Sequence, residues 1–574
     1  MDGDFRIGPW LIKPQLNGVS CDGSNVQLEP KVMGVLVCLA RHAPHPVSKD
    51  DLLREVWPHT FVGEGVLTRS ISELRRVLND EAKEPRIIQT IAKRGYRLIA
   101  QVTNVEGDSG QQPHRFRSLV VLPLENLSRD PEQEYFAEGL TEALITTLAK
   151  IGELRVVSRT SSILYKGARK SMREIARELD VDVVVQGTVL RVGDRVRITA
   201  QLIDPINESH VWAESYDRYL GHILDLQSEV TQAIARQIQV NLTPVEKSHL
   251  AELKTVDPDA YVAYLKGRHH WNRRSGDAIP KGAQCFREAI ERDPTYAAAY
   301  SGLADCLSAL GIYSFVSPDQ GCARAKEAAL RAVEIDPGSG EAHASLAWAL
   351  HWGDYDFSRV EREFARAIEL NPRYATAHQW FGLYLAQMGR YEEGYNELQL
   401  AMRLEPCSSP MYWASGLACW CSRRYDLAIE QFEKVLEFDS TFAQAYFGLA
   451  MTYPYKSMHA QAISAAKRAL DQTNGTVFFL ACAGETYAAA GCLDEAQKIL
   501  ERVNEISTKQ YVTPYFIARI HAALGNRYEA LNYLEKGYRF LDPHMVWLKT
   551  EPRLDDLRAE PRFQSLMRQM NFPP

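Results

Sequence analysis

Polar and cationic side chains recur at helical spacing between residues 64 and 78 of this chain of 574 residues. Those on one side are Thr68, Arg69, Ser72 and Arg76, with Arg75 on the flank. Guanidinium groups and hydroxyls hydrogen-bond to phosphate oxygens and to base edges in the major groove of DNA. This pattern predicts a helix that presents a small, positively charged face to double-stranded DNA.

A separate apolar stripe positions that polar face. Leu67, Ile71, Leu74 and Leu78 are spaced at i, i+4, i+7 and i+11, which is the period of one side of an α-helix. Burial of this stripe against a core leaves the opposite side exposed. We therefore expect an amphipathic helix that holds its DNA-facing groups outward.

A second basic group follows the helix. The sequence alternates in polarity over residues 87–91, breaks at Lys93-Arg94-Gly95 and resumes over residues 96–98. Such alternation predicts two strands, and a glycine permits the tight turn that joins them. Lys93 and Arg94 are therefore expected at the tip of a basic hairpin, suited to an adjacent phosphate or minor-groove contact.

The elements before the helix complete a small α+β domain. Short apolar runs within residues 5–12 and 19–28, broken by turn residues, predict strands. Pro30 stands at the start of an apolar-periodic helix, and the Ser48 hydroxyl can cap a second helix. A small sheet, three helices and a closing hairpin predict a winged helix-turn-helix over residues 1–100.

This segment resembles the OmpR/PhoB-type DNA-binding domain, most closely its CadC/ToxR branch. The residues that carry the resemblance are Leu28-Glu29-Pro30-Lys31, Leu52-Leu53, Val56-Trp57, the run from Leu67 to Arg76, and Lys93-Arg94-Gly95-Tyr96-Arg97-Leu98. The resemblance implies groove contacts from Thr68, Arg69, Ser72 and Arg76. It implies phosphate and wing contacts from Arg75, Lys93 and Arg94.

Charge limits how such a domain can bind DNA. The whole chain carries a formal net charge of −7, and residues 1–100 hold 14 Lys and Arg against 12 Asp and Glu. Recognition must therefore depend on the arrangement of a few cations more than on bulk charge. The modest basicity keeps one alternative open, an interaction scaffold whose winged-helix domain contacts protein instead of DNA.

Other classes of function find little support in the sequence. No apolar run approaches the roughly 18–20 residues that cross a bilayer, and the N-terminal residues do not form a signal peptide. The ten cysteines are scattered without metal-ligand spacing or a disulfide framework, which is typical of buried thiols in a reducing cytoplasm. We expect a cytoplasmic protein with no metal, no cofactor, no membrane contact and no enzymatic activity.

A polar linker at residues 101–116 leads to a predicted α/β domain at residues 117–245. Apolar and alternating runs predict strands at residues 118–123, 154–157, 181–186, 188–192 and 195–203, with helices at 132–151, 172–179 and 223–242. The segments 120–128, 135–148 and 183–204 resemble the N-terminal α/β domain of TolB-like proteins. That resemblance implies contact with a ligand or partner and no defined chemistry.

Residues 246–574 contain a repeat. Asp-Pro, Asn-Pro or Glu-Pro pairs begin at residues 293, 336, 371 and 405, at spacings of 43, 35 and 34 residues. This period, with recurring small and aromatic positions, is typical of tetratricopeptide repeats, whose concave face usually binds a peptide or protein. We expect about eight repeats and a C-terminal cap, an extra loop near residues 312–320, and an exposed turn at His269-His270-Trp271.

The sequence as a whole predicts a multidomain protein: an α+β winged helix, an α/β domain and an all-α tetratricopeptide solenoid. The order of a winged helix and then repeats also resembles one-component activators of the ToxR/HilA kind. We therefore expect a bacterial transcriptional regulator that binds promoter DNA. Its middle domain and repeats would receive a protein, peptide or small-molecule signal, or supply self-association as a homodimer.

Overall fold

The computed structural model describes residues 4–14, 17–21, 24–57, 64–91, 94–104, 116–128, 130–149, 151–152, 154–238, 256–273 and 277–573. These residues fall into two compact units, one within residues 1–114 and the other within residues 115–574. The first unit is the predicted winged helix. The second contains the predicted α/β domain together with the repeats.

The first unit opens with short antiparallel strands. They are β1 (Phe5–Ile7), β2 (Trp10–Lys13), β3 (Gly18–Cys21) and β4 (Ser24–Gln27), and the sheet order is β4-β3-β2-β1-β7, where β7 is Val102–Asn104. β7 corrects the predicted linker, because residues 102–104 pair with β1 instead of leaving the domain. The backbone groups on that edge of β1 thereby gain hydrogen-bond partners.

Three helices follow the first strands: α1 (Pro30–His42), α2 (Lys49–Val56) and α3 (Glu64–Val77). α2 begins as predicted, because the Ser48 hydroxyl accepts a hydrogen bond from the Asp51 backbone N–H at 3.1 Å. The apolar stripe along α3 is confirmed as core: Leu67, Ile71, Leu74 and Leu78 are 0 to 1% exposed.

A two-stranded hairpin, β5 (Ile88–Ile91) with β6 (Gly95–Leu98), forms the predicted wing. The backbones of Val47 and Tyr96 exchange hydrogen bonds of 2.8 and 3.0 Å, which fix the hairpin to the segment before α2. Gly95 has a φ of +131°, and a Cβ atom there would lie 2.0 Å from the Val47 carbonyl oxygen. The glycine therefore permits both the turn and the close approach of the wing.

The second unit begins with a mixed sheet. Its strands are β8 (Ser118–Val121), β9 (Glu125–Asn126), β10 (Arg155–Val156), β11 (Val183–Val192), β12 (Arg195–Asp204) and β13 (Ser209–Tyr219). The order is β10-β8-β11-β12-β13, with β9 beside β11. β8 pairs in parallel with β10 and β11, whereas β12 pairs antiparallel with β11 and β13.

β11 is one strand of ten residues, so the prediction of separate strands at 181–186 and 188–192 was wrong. Gly187 lies between those two predicted strands. A Cβ atom at this position would lie 2.1 Å from the Thr199 carbonyl oxygen of β12. The glycine therefore lets two backbones approach closely and does not end a strand.

Helices cover both faces of this sheet. They are α4 (Glu134–Ala149), the short α5 (Arg159–Ser162), α6 (Met172–Leu179) and α7 (Ile223–Gln237). Leu119 and Val121 of β8 are buried in one cluster with residues of α4 and α7, whereas Val120 is buried in another with residues of α6. Successive side chains of β8 thus point to opposite faces of the sheet, and both faces are buried under helices. This arrangement confirms the predicted α/β class.

Eight helix pairs follow in the described part of the chain, as predicted. The first four are α8 (Pro258–Arg273) with α9 (Ala278–Arg292), α10 (Ala297–Ile312) with α11 (Arg324–Ile335), α12 (Gly340–Gly353) with α13 (Phe357–Leu370), and α14 (Ala375–Gln387) with α15 (Tyr391–Leu404). The last four are α16 (Ser409–Cys421) with α17 (Tyr425–Phe438), α18 (Ala443–Thr452) with α19 (His459–Gln472), α20 (Val477–Ala489) with α21 (Leu493–Ser507), and α22 (Pro514–Ala523) with α23 (Arg527–Arg539). The predicted extra loop lies between α10 and α11.

Neither these helices nor the others that the structure describes are long and apolar enough to cross a lipid bilayer.

Small residues face large ones where successive pairs stack. Phe432 of α17 packs against Gly416 of α16 and Gly448 of α18, where a Cβ atom would lie 2.4 and 2.6 Å from the ring. Phe286 of α9 makes the same contact with glycines of α8 and α10. Each phenyl ring thus fills a space that only a glycine leaves open, which explains the recurring small and aromatic positions in the sequence.

The C-terminal segment folds back into the repeats after the eighth pair. It consists of two 3-10 turns (Pro543–Trp547 and Pro552–Leu557) and helix α24 (Pro561–Met570). It contacts the first helices of the second, third and eighth pairs. Tyr355, after α12, donates to the Asp542 carbonyl oxygen at 2.6 Å. Helices so distant in sequence can share one segment only on the inside of the superhelix, so the chain itself fills part of the predicted concave groove.

Candidate nucleic-acid interface and ligand cavity

The exposed face of α3 carries the four predicted groove residues. The Thr68, Arg69, Ser72 and Arg76 side chains are exposed, while the apolar stripe on the opposite side of the helix is buried. The Ser72 hydroxyl donates to the Thr68 carbonyl oxygen at 2.9 Å. The structure therefore brings these residues together on one solvent-facing surface, with two guanidinium groups among hydroxyls.

Arg75 has a different environment from the four exposed residues. Its side chain is half-buried, and its guanidinium donates to the Ile88 carbonyl oxygen at 3.0 Å and to the Thr90 hydroxyl at 2.8 Å. Both acceptors belong to β5. These bonds join α3 to the wing, which gives Arg75 a positioning role beside the predicted phosphate contact.

The wing turn is described only in part. Arg94 is exposed at the turn, and its backbone N–H donates to the Ile91 carbonyl oxygen at 3.0 Å. Lys93 lies outside the described residues. On β6 the Arg97 guanidinium donates to the Gln89 side-chain oxygen at 2.6 Å, which supports the hairpin from within.

Asp80 was missed by the sequence analysis. Its buried carboxylate accepts hydrogen bonds from the backbone N–H groups of Arg86, Ile87 and Ile88 at 2.6, 3.0 and 2.8 Å. The loop between α3 and the wing is therefore organised around one side chain. The signal available in the sequence was Asn79-Asp80 directly after the apolar period of α3, since Asn79 adopts a left-handed φ of +53° that ends a helix.

In the second unit, the α/β domain is joined to the first repeat by an acidic stripe on α4. Glu138 accepts from His269 Nδ1 at 2.8 Å, and Glu142 accepts from Arg268 Nε at 2.9 Å and from Asn272 at 2.7 Å. The predicted exposed turn at residues 269–271 is therefore wrong. These residues lie within α8, where His269 contacts Glu138 of α4 and Trp271 is buried in the core of the repeats.

The charges around Glu138 favour its ionised form. Burial alone raises the pKa of this carboxyl, but hydrogen bonds from His269 and Lys166 and the charge of Arg159 outweigh burial and lower its pKa to about 2. Arg159 lies 3.2 Å from the carboxylate. The Glu138 carboxylate therefore stays ionised across the physiological pH range.

A cavity of about 1290 Å³ lies between the α/β domain and the repeats. Arg155 and Ile163 belong to its α/β wall, whereas Tyr374, Trp380 and Phe479 belong to its repeat wall. Its lining mixes aromatic rings with charged groups of both signs. A concavity of this volume is large enough to hold a small molecule or a short peptide.

Hydrogen bonds between the two walls border this cavity. The Thr160 hydroxyl donates to Glu405 at 2.6 Å, and the Cys407 backbone N–H donates to the Ser161 hydroxyl at 3.3 Å. Arg373 donates to the Leu154 carbonyl oxygen. The α/β domain thus touches the repeats at several points while leaving a space between them.

Residues 23–98 match the family described as "Transcriptional regulatory protein, C terminal". The chain is 24% identical over 385 residues to "Transcriptional regulator HilA" of Salmonella typhimurium, covering 66% of this chain and 67% of that protein. It is 38% identical over 108 residues to "Transcriptional activator CadC" of Escherichia coli, covering 19% of this chain and 21% of CadC.

Another relative has a name of a different kind. The chain is 37% identical over 240 residues to "Putative adenylate cyclase 3" of Rhizobium meliloti, covering 41% of this chain and only 40% of that protein. The winged-helix fold, the exposed polar face of α3 and the family match all assign the N-terminal unit to the same class of domain. Residues 23–98 are therefore an OmpR/PhoB-type DNA-binding domain of the transcriptional regulators, joined in this chain to an α/β domain and a tetratricopeptide solenoid.

Proposed function

We propose that this protein regulates transcription by binding promoter DNA through α3 and the wing. The observation that carries the proposal is the exposed polar face of α3, held outward by a fully buried apolar stripe within a domain of the regulator family. A helix of this kind fits the major groove, and a basic hairpin beside it can reach the backbone. From a promoter target we infer that the protein acts in the cytoplasm.

Within this proposal the arginines have separable roles. Arg69 and Arg76 are exposed on the face of α3 and are suited to base edges or nearby phosphates. Arg94 is exposed on the wing turn, where it would contact the DNA backbone. Arg75 would act mainly by fixing the angle between α3 and the wing, through its bonds to β5.

Substitution of Arg69 with alanine is expected to weaken binding to the preferred site by about 1–3 kcal/mol and to relax base preference. Arg75→Ala is expected to weaken binding to all sequences alike, because it releases the wing from α3. The measurement is selection of genomic fragments by the full chain at two salt concentrations, followed by gel-shift titration. Arg6→Ala, which removes an exposed arginine of β1, is the matched control.

The same experiment tests the alternative of a scaffold that does not bind DNA. Regulator function requires sequence-selective capture that weakens as salt rises, because phosphate contacts release counterions. Absence of DNA capture above background would favour the scaffold, whereas unchanged DNA binding by both Arg69→Ala and Arg75→Ala would contradict the assignment of α3 as the helix that contacts DNA. Two half-sites one helical turn apart would indicate that the chain binds as a homodimer.

For signal input we propose the cavity between the α/β domain and the repeats. The chain's own C-terminal segment already fills part of the inner surface of the superhelix, so the cavity is the better place for a small molecule or short peptide. A ligand held by both walls would change how firmly the α/β domain and the repeats are joined. A ligand that binds one arrangement of the two domains more tightly than another shifts the protein towards the arrangement that it prefers.

A cavity-filling substitution tests this part of the proposal. Thr376 lines the cavity in the first turn of α14, so Thr376→Trp should occlude it. Native mass spectrometry of the full chain, incubated with a small-molecule extract of cells and desalted, is expected to show a bound mass that this variant loses. Thr508→Trp, at an exposed position after α21, should retain the mass. An identical bound mass in both variants would count against the cavity.

A further inference from the structure

Three metal-ligating side chains meet where α1 contacts α2. Cys38 Sγ lies 3.9 Å from His42 Nδ1 and 3.2 Å from Glu55 Oε2. One ligand atom from each residue lies within 4.8 Å of the other two. Thiolate, imidazole and carboxylate are all ligands that Zn²⁺ takes in proteins.

The fold accounts for this meeting. Cys38 and His42 are four residues apart on α1, so they share one face of the helix. Glu55 is the penultimate residue of α2, whose packing against α1 brings its carboxylate to the cysteine. Cys38 is buried, whereas His42 and Glu55 are exposed. The group is therefore open on one side, which gives a cation access and leaves room for a water ligand.

The distances suit a tetrahedral ion. With Zn–S near 2.3 Å and Zn–N or Zn–O near 2.0–2.1 Å, tetrahedral ligand atoms lie about 3.3–3.6 Å apart. The separations of 3.2 and 3.9 Å differ from these values by only a few tenths of an ångström. The third separation, between the His42 and Glu55 ligand atoms, is within 4.8 Å, so these two side chains would close by up to about 1.5 Å around an ion.

Without a cation the centre of the group holds a proton. The Cys38 thiol donates to Glu55, and burial, together with that hydrogen bond and the nearby carboxylate charges, raises the pKa of the thiol to about 12. A divalent cation would replace this proton, releasing it to solvent as Cys38 becomes a thiolate. His42 Nδ1 would give up its 2.9 Å hydrogen bond to the Cys38 carbonyl oxygen. Two cations in the described part of the chain oppose a metal ion here: Arg41 lies 3.5 Å from the other Glu55 oxygen, and the Lys31 ammonium donates to the neighbouring Val56 carbonyl oxygen at 2.7 Å.

We propose that Cys38, His42 and Glu55 form a binding site for a thiophilic divalent cation of the zinc class, with water as a fourth ligand. The cation would join α1 to the end of α2, and α2 leads into α3. Occupancy would therefore stiffen the support of the α3 face. The site does not depend on whether the chain binds DNA.

Cobalt serves as the probe, because tetrahedral Co²⁺ in a zinc-type site has visible ligand-field bands and a thiolate charge-transfer band in the near ultraviolet. Titration of the reduced full chain with Co²⁺ is expected to produce both kinds of band at one equivalent, and Zn²⁺ is expected to abolish them. Affinity should fall as pH falls, because the ion competes with protons for its ligand atoms.

Variants assign the ligands. Cys38→Ala is expected to remove the charge-transfer band, whereas Cys21→Ser, which removes another thiol of the same unit, should leave it unchanged. His42→Ala and Glu55→Gln change exposed residues, so the fold should persist, and each should weaken Co²⁺ binding at least tenfold. The proposal is overturned if the wild-type chain shows no charge-transfer band, if Cys38→Ala retains it, or if neither His42→Ala nor Glu55→Gln alters affinity.

Discussion

Replacement of Arg553 with methionine is expected to lower the free energy of unfolding of the second unit by about 3–5 kcal/mol. Arg553 belongs to the C-terminal segment and is 14% exposed. It donates to Glu485 at 2.6 Å and to Glu551 at 2.7 Å, and its guanidinium lies 4.9 Å from the Trp420 ring centre. Removal of this cation leaves two buried carboxylates that must share Arg519 alone.

The burial of these groups makes the effect large. Glu485 and Glu551 are 5% and 1% exposed, and burial already raises the pKa of Glu485 despite the charges of Arg519 and Arg553. A buried carboxylate without its partner must either stay charged at low dielectric or take up a proton, and both states cost stability. The C-terminal segment would then detach from α20, which carries Glu485.

Urea unfolding of the full chain, followed by tryptophan fluorescence, measures the effect of Arg553→Met. The matched control is Arg331→Met, which breaks an exposed i,i+3 pair with Glu334 and should change stability by no more than about 0.5 kcal/mol. Equal midpoints for Arg553→Met and Arg331→Met would show that the buried network contributes little net stability.

Asp80→Ala is expected to destabilise the first unit by about 3 kcal/mol and to disorder the wing. The Asp80 carboxylate accepts three backbone N–H groups, and Ile87 and Ile88, which donate two of them, are buried. Alanine leaves these two donors without an acceptor, and each such group costs about 1–3 kcal/mol. Because Ile88 begins β5, DNA binding through the wing should be lost together with loop order.

Hydrogen exchange at the amides of Ile87 and Ile88 in the full chain reports this loss directly. Both amides should exchange far faster in Asp80→Ala, while Asp80→Asn, which keeps one acceptor oxygen, should fall between it and the wild type. Glu84→Ala removes an exposed carboxylate of the same loop and serves as the control. Unchanged protection of both amides in Asp80→Ala would contradict the role assigned to Asp80.

Local periodicity accounts for the parts of the fold that the sequence predicted well. The stripe Leu67-Ile71-Leu74-Leu78 has only one orientation that buries all four residues, so the outward direction of Arg69 and Arg76 followed from it. The eight helix pairs followed in the same way from a period of about 34 residues. Gly187 misled the prediction because the sequence does not show which backbone a glycine must approach.

The remaining features of the candidate sites depend on contacts between residues that are far apart in sequence. Arg75 was expected at a phosphate, yet its hydrogen bonds go to β5, which lies 13 to 15 residues further along the chain. The cavity requires two walls from separate domains, and no period in either domain predicts the distance between them. The i,i+4 spacing of Cys38 and His42 was passed over in the sequence, and Glu55 joins them only through the packing of α1 on α2.

The sequence by itself determined most of the elements, their order and the face of α3 turned towards solvent, because these depend on side chains a few positions apart in one helix or strand. Only the tertiary structure decided what each charged group meets. It joined Arg75 to the wing, Asp80 to the loop, α4 to the first repeat, and the C-terminal segment to the inside of the solenoid. The energy of a charge is set by its neighbours and its exposure, and packing brings those neighbours from distant parts of the chain.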